Sequence, residues 1–215
     1  MIVFDLFAGT RSSTLAFEDA GDTVITIDND DRFDVTLQAD VYFLTAAGLI
    51  RRFGQPDFVW ASPPCTAFSV ASIGHHWTGG VNAYEPKTYE ASFNQDLVWH
   101  TRYLIERLKP RYGYVIENPR GMLRKLPPVQ GLKRHTVTYC QYGDNRMKPT
   151  DLWTNLDWVP RAMCKNGDPC HESAPRGAKT GTQGRDGAVT RSMVPYALGA
   201  EIREAIMYAR RDAED

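Results

Sequence analysis

The stretch Phe58-Val59-Trp60-Ala61-Ser62-Pro63-Pro64-Cys65 constrains the fold more than any other. Phe58 to Ala61 is a short apolar run with the character of a fully buried strand. Proline has no amide hydrogen to donate to a central sheet, so the chain must leave the sheet at Pro63. A cysteine therefore sits on the turn at the carboxyl end of a buried strand. In an open α/β sheet that end is where ligands bind, and a thiol held rigidly there is placed for nucleophilic chemistry. The plainer alternative is a small buried filler.

Three further runs follow the same plan. Ile2 to Phe7 reads as a buried strand, followed by the small-residue turn Ala8 to Ser13 and a helical spacing over Thr14 to Ala20. Strand, glycine-bearing turn and helix open a nucleotide-binding unit, in which backbone amides approach a ligand. Val24 to Ile27 reads as the second strand and ends at Asp28, where a carboxylate can accept from both hydroxyls of a ribose. Tyr112 to Ile116 is another strand, with Glu117-Asn118-Pro119 at its carboxyl end. Glu117 is then either a counterpart of Cys65 on a neighbouring strand or an acid ahead of a short helix at Gly121 to Lys125.

The remaining chain is read in the same way. Thr45 to Gly48 is a turn leading into a short apolar helix, and Ser69 to Ser92 is a long irregular loop. Asn94 to Leu108 has helical apolar spacing and is stopped by Pro110. Thr136 to Gln141 and Asp151 to Thr154 read as closing strands, and Tyr196 to Tyr208 as the last helix. His75-His76, inside the long loop, is read as facing a nucleic acid or merely exposed.

At 215 residues one domain is expected, and 42% hydrophobic with 24% charged residues is ordinary for a globular protein. No apolar run approaches the roughly 20 residues of a membrane span, and no signal peptide is visible, so the cytoplasm is the expected location. The net charge is −1, but from Arg102 to Thr150 eleven Lys and Arg residues face only Glu106, Glu117 and Asp144. A neutral protein with one basic half can hold a polyanion there, unless the asymmetry is only a solvated face.

In that order and spacing, Asp5-Leu6-Phe7-Ala8-Gly9, Pro63-Pro64-Cys65 and Glu117-Asn118-Pro119 resemble the cytosine-5 DNA methyltransferases, over Ile2 to about Ile206. The resemblance is thinnest between Trp158 and Arg191. It implies a Rossmann-like α/β fold, a mostly parallel central sheet with helices on both faces, and S-adenosylmethionine as cofactor. It implies methyl transfer to carbon-5 of cytosine in flipped-out DNA through a covalent Cys65 adduct, with Glu117 as the second catalytic group. Phe7, Ala8 and Gly9 match the loop around the cofactor, Asp28 with Asn29 the ribose site, and Asp40 with Val41 the adenine site. Pro63 matches a cofactor contact. Pro64, Ser69, Asn118, Arg146 and Lys148 match substrate-binding positions, the last two near a family Gln-x-Arg-x-Arg stretch whose arginine positions fall on Lys148 and Thr150. The loop after Cys65 matches one that closes over the target base.

Departures are visible too. Thr10-Arg11-Ser12-Ser13 replaces the usual glycines, and Arg191-Ser192 replaces the Gly-Asn before Val194-Pro195. Residues 1–215 are expected to form a single, small, phage-like catalytic domain. A Gly/Pro-rich basic segment at 164–191 would stand where larger relatives carry a target-recognition domain, and base reading would fall to that segment and the loop Ser69 to Ser92. A bacterial or phage-infected cell is the implied setting, and the oligomeric state is not implied. Competing readings are an RNA cytosine-5 methyltransferase or another cytosine carbon-5 modifying enzyme on the same scaffold, and a non-catalytic nucleic-acid-binding relative. Three cysteines remain beyond Cys65. Cys140, Cys164 and Cys170, with His171, make up a tetrahedral zinc set, or else three unconnected thiols and an exposed histidine.

Overall fold

The computed structural model describes residues 1–79, 83–173 and 187–214. Seven strands form one sheet: β1 (Ile2–Leu6), β2 (Thr23–Asp28), β3 (Leu37–Gln38), β4 (Phe58–Ala61), β5 (Gly113–Pro119), β6 (Arg134–Thr138) and β7 (Pro149–Thr154). Their spatial order is β3-β2-β1-β4-β5-β7-β6. The pairs from β3 through β5 are parallel, and β7 runs antiparallel to both of its neighbours. The chain turns outward through β2 and β3, then crosses to β4. The crevice between the carboxyl ends of β1 and β4 is thus the topological switch point, where open α/β sheets bind ligands.

Alternate side chains of each strand feed two separate cores. Phe4, Leu6, Val59, Ala61 and Ile116 pack on one face against α2 (Ala46–Phe53) and α4 (Tyr89–Leu108). Val3, Phe58, Trp60, Val115 and Leu152 pack on the other against Phe17 of α1 (Leu15–Asp19) and Leu198, Ile202 and Ile206 of α5 (Tyr196–Glu214). Both faces are covered, which is why the central strands are apolar runs without alternation.

Three details differ from the sequence reading. First, α4 begins at Tyr89, five residues before Asn94, because the Thr88 side chain caps it by accepting from the Ala91 amide. Second, the segment after Cys65 is more ordered than an irregular loop. It contains the short helix α3 (Ile73–His76), and Trp77 is buried with its indole N–H donating to the Ala67 carbonyl at 2.7 Å. Third, His76 is buried, with Nδ1 2.7 Å from Thr88 Oγ1, so it faces the helix cap and not a ligand; His75 is exposed. The basic excess is also smaller than it reads, since Arg102, Arg124 and Arg146 are paired with Glu106, Asp151 and Asp144. Among the described residues no helix is long and apolar enough to cross a membrane.

Candidate active site

A cleft opens over the carboxyl ends of β1, β4 and β5. Its walls include Phe7, Ala8, Gly9, Ser12, Pro63, Pro64, Cys65, Glu117, Lys148, Ser192 and Val194. The loop after β1 curls sharply, with Phe7, Gly9 and Arg11 all at positive φ (63°, 47° and 61°). Left-handed backbone at Phe7 and Arg11 is held against its intrinsic preference, as at ligand-clamping turns. The loop is fastened from below. Ser13 and Thr14 donate their hydroxyls to the fully buried Asp5 carboxylate at 2.9 and 2.7 Å. It is fastened from the side by Asp28, which accepts from the Gly9 amide at 2.8 Å and the Asp30 amide at 2.9 Å. A carboxylate has about four acceptor sites, so Asp28 retains capacity for a ribose. Asn29 is exposed beside it. Asp40 caps the 3₁₀ turn Val41–Phe43 by accepting from the Tyr42 amide, and Val41 is buried beneath it. The last motif returns here: the Val194 amide donates to Ser12 Oγ at 2.9 Å. These groups offer what an adenosine-bearing cofactor requires, a curled amide-rich loop at β1 and a free-sided carboxylate at β2.

Cys65 is half-buried at the head of a tight turn, its carbonyl accepting from the amides of Phe68 and Ser69 at 3.0 Å each. That turn is clamped to β5. The Asn118 side chain donates to the Pro63 carbonyl at 2.8 Å, and the Met122 amide to the Phe68 carbonyl at 2.8 Å. A Cβ on Gly121 would lie 2.2 Å from that carbonyl oxygen, so only glycine permits the approach.

Glu117 lies within β5, which extends through Pro119, further than Ile116. It is buried and accepts from the Tyr139 hydroxyl at 2.9 Å. Burial pushes its carboxyl up, against the Lys148 charge and the Tyr139 and Ser62 hydrogen bonds. Burial likewise raises the Cys65 thiol, with the Glu117 charge adding to it and Lys148 opposing. Lys148 sits over the Tyr139 ring, 4.6 Å from its centroid, and donates to the Arg191 carbonyl at 2.9 Å. Burial lowers it, while Glu117 and Cys65 hold it charged.

The other substrate positions divide. Pro64 is exposed on the cleft wall, and Ser69 pairs with Ser72 Oγ at 2.9 Å on the following turn. Asn118 and Arg146 are held by bonds within the fold. Asn118 is fully buried, its Nδ2 donating to the Pro63 carbonyl and its Oδ1 without a hydrogen-bond partner among the described residues. Arg146 is buried, its guanidinium committed to Asp144 and to the Thr190 carbonyl at 2.8 Å. Of the two basic candidates, Lys148 is the one in the cleft. Thr150, at the second family arginine position, is fully buried in β7. Tyr139 carries no motif and was missed by sequence reasoning. Its place one residue past a strand, beside a cysteine, was the faint signal available.

Strand order, helices on both faces and a ligand cleft at the β1/β4 switch define a Rossmann-like fold of the S-adenosylmethionine-dependent methyltransferase kind. The family model described as C-5 cytosine-specific DNA methylase matches residues 1–126, and the chain belongs to that family. A "Probable DNA (cytosine-5)-methyltransferase" of Frog virus 3 (isolate Goorha) is 29% identical over 173 residues, covering 79% of this chain and 78% of that protein. Two solved structures are similar at a TM-score of 0.48. One is a DNMT2 mutant of Spodoptera frugiperda, 14% identical and covering 76% of this chain. The other is S. pombe Dnmt2, 13% identical and covering 75%. The chain spans 53% of the length of each.

Proposed function

We propose that this chain transfers a methyl group from S-adenosylmethionine to carbon-5 of cytosine in DNA. The observation that carries the reading is the convergence of Cys65, Glu117 and Lys148 beside the curled loop of Phe7 to Ser13. Phe7, Ala8, Gly9, Asp28, Asn29, Asp40, Val41 and Pro63 would hold the cofactor, which supplies an electrophilic methyl group when bound. Carbon-5 of cytosine is a poor nucleophile. The Cys65 thiolate adds to carbon-6, and the ring electrons move toward nitrogen-3. Burial raises the Glu117 carboxyl, which favours its giving a proton there as charge develops. Carbon-5 of the resulting enamine takes the methyl group. Loss of the carbon-5 proton to a base such as water, with return of the nitrogen-3 proton to the Glu117 carboxylate, then expels the Cys65 thiolate and restores the aromatic ring. Lys148 stabilises the thiolate electrostatically.

The target base must leave the duplex to reach this cleft, at a cost of a few kcal/mol. In this reading residues 1–215 act as a single catalytic domain. Base reading falls to the loop Ser69 to Ser92 and the segment 164–191, of which 174–186 lie outside the described residues. A short target sequence follows. The protein works in the cytoplasm, where its free thiols stay reduced. Zinc in this reading is structural, at Cys140, Cys164, Cys170 and His171, and takes no part in the transfer.

The test uses duplex DNA, the same sequence as RNA, and labelled cofactor, followed by nucleoside digestion. Label in 5-methyldeoxycytidine supports the reading. Label in 5-methylcytidine alone, or at an exocyclic amine, overturns it. DNA bearing 5-fluorocytosine should become covalently attached to the wild type and not to Cys65→Ala, because fluorine cannot leave as a proton does.

A further inference from the structure

Four ligand atoms converge outside the motifs of methyl transfer. Cys140 lies in the 3₁₀ turn Tyr139–Tyr142 that follows β6, while Cys164, Cys170 and His171 lie in the segment after Trp158. Cys140 Sγ is 3.0 Å from Cys164 Sγ and 3.7 Å from Cys170 Sγ. His171 Nδ1 is 3.8 Å from Cys164 Sγ and 3.6 Å from Cys170 Sγ, and all four ligand atoms fall within 4.8 Å of one another. Tetrahedral zinc with Zn–S near 2.3 Å and Zn–N near 2.0 Å sets its ligand atoms about 3.5–3.8 Å apart. The cysteines are free, and a disulfide would need its sulfurs at about 2.05 Å.

The local backbone is shaped for this convergence. Between Cys164 and Cys170 the chain reverses at Gly167, whose φ of +98° favours glycine. Asp168 closes the turn by accepting the Lys165 amide at 2.7 Å. The adjacent Cys170 and His171 are thereby turned to the same point. An outer layer is present as well. Gln141 Nε2 donates to Cys170 Sγ at 3.4 Å, and the Cys164 amide donates to Thr138 Oγ1 at 3.1 Å. The first bond stabilises a thiolate ligand, and the second fixes the backbone that carries Cys164.

Polar bonds hold the segment in part, with Arg161 donating to Glu201 at 2.7 Å and to the Gln141 carbonyl at 2.8 Å, and the Glu172 amide to the Asn145 carbonyl at 3.0 Å. Residues 155–173 contain no helix or strand. Beyond Trp158 the large apolar side chains Val159 and Met163 are exposed, and Cys164 is the buried one. Apolar burial therefore contributes little to holding this stretch, and metal binding is a source of folding free energy where a core is lacking.

We propose that Cys140, Cys164, Cys170 and His171 bind one zinc ion in a closed tetrahedral site that fastens residues 159–173 to the edge of the sheet. Three thiolates and one imidazole leave no position for substrate, so the ion is structural. Its fixed end, Cys140, directly follows Tyr139, the hydrogen-bond donor to Glu117. The site thus secures the turn that supports the cleft. It does not depend on the methyl-transfer reading: metal content is measured without a substrate.

The test uses the full chain, purified under reducing conditions without a histidine tag. Mass-spectrometric metal analysis should find about one equivalent of zinc, released as a mercurial titrates the thiols. Cobalt in its place should give the strong visible bands of a tetrahedral thiolate site. Cys170→Ser and His171→Ala, both away from the core, should each weaken zinc binding at least tenfold, while His171→Cys and Cys65→Ala retain it. A chelator should open residues 159–173 to proteolysis in the wild type, a readout that holds even where a variant fails to fold. Less than roughly a tenth of an equivalent of zinc with all three thiols titrating freely overturns the site. So does a Cys140–Cys164 disulfide in the reduced preparation, or zinc retained in both ligand variants. Unchanged proteolysis on chelation overturns the fastening role.

Discussion

The side chain of Asn118 holds the carbonyl of Pro63 at 2.8 Å across 55 residues of sequence. The strand that carries Glu117 thereby fixes the turn that carries Cys65. Asn118 is fully buried, so this is a positioning contact. Asn118→Asp puts a carboxylate against a carbonyl oxygen and should lower kcat about 10- to 100-fold, the kinetic equivalent of about 1.4–3 kcal/mol. The cofactor Kd should change less than kcat, because Pro63 is the one proposed cofactor contact on that turn and the others lie on the β1 and β2 loops. A variant with normal kcat and weakened cofactor binding would contradict the assignment.

Cys65, Glu117 and Lys148 form one electrostatic unit, and its parts have opposite signs. Where Glu117 is ionised its charge opposes the Cys65 thiolate, so in Glu117→Gln the Cys65 thiol should ionise at lower pH than in the wild type. Lys148→Met removes a positive charge, so it should ionise at higher pH. Alkylation of Cys65 by iodoacetamide, followed by peptide mass spectrometry across pH 6–10, reads both. Shifts of the same sign in the two variants would break up the unit.

Asp28 has two tasks in one carboxylate, tying down the Gly9 amide and facing the ribose site. Asp28→Ala should weaken S-adenosylmethionine binding by about 1.5–3 kcal/mol, roughly 10- to 150-fold in Kd by calorimetry. Asp28→Asn keeps an acceptor for Gly9 but loses the charge, and should fall between the alanine variant and the wild type. Equal Kd values in all three proteins would move the ribose contact elsewhere.

The strands at the centre of the sheet are legible because parallel strands covered on both faces become unbroken apolar runs, as in Phe58 to Ala61. Prolines and acids mark the carboxyl ends of these apolar runs, so Cys65, Glu117 and Asp28 read from the sequence as lying at one end of the sheet, although β5 continues past Glu117 to Pro119. Features set by contact between distant segments were not legible. The buried place of His76 follows from Thr88, which begins a helix whose first turn, Tyr89 to Ser92, lacks an obvious apolar stripe. Lys148 and Arg146 are alike in sequence, yet one faces Glu117 and Cys65 and the other is bound to Asp144. That distinction arises from the turn joining β6 to β7. The three thiols and the imidazole were recognisable as a set by chemistry, but their meeting point depends on the reversal at Gly167.

Asp5 links the cofactor loop to the acid stability of the whole fold. It is fully buried, Oδ2 accepts from Ser13 and Thr14, and Oδ1 has no partner among the described residues. Burial raises its carboxyl from 3.8 to about 7, outweighing both hydroxyl bonds. Between those limits the unfolded chain releases a proton that the folded chain keeps, so folding stability falls as pH rises from about 4 to about 7 and then levels off. A displacement of that size is worth up to about 4 kcal/mol. Asp5→Asn retains an acceptor for the two hydroxyls but does not titrate. Urea unfolding of both proteins at pH 4.5 and 7.5 isolates the contribution. The wild type should lose stability relative to the asparagine variant by about 2–4 kcal/mol across that interval. A difference independent of pH would mean that Asp5 is ionised throughout, and that its charge is balanced by a group other than Ser13 and Thr14.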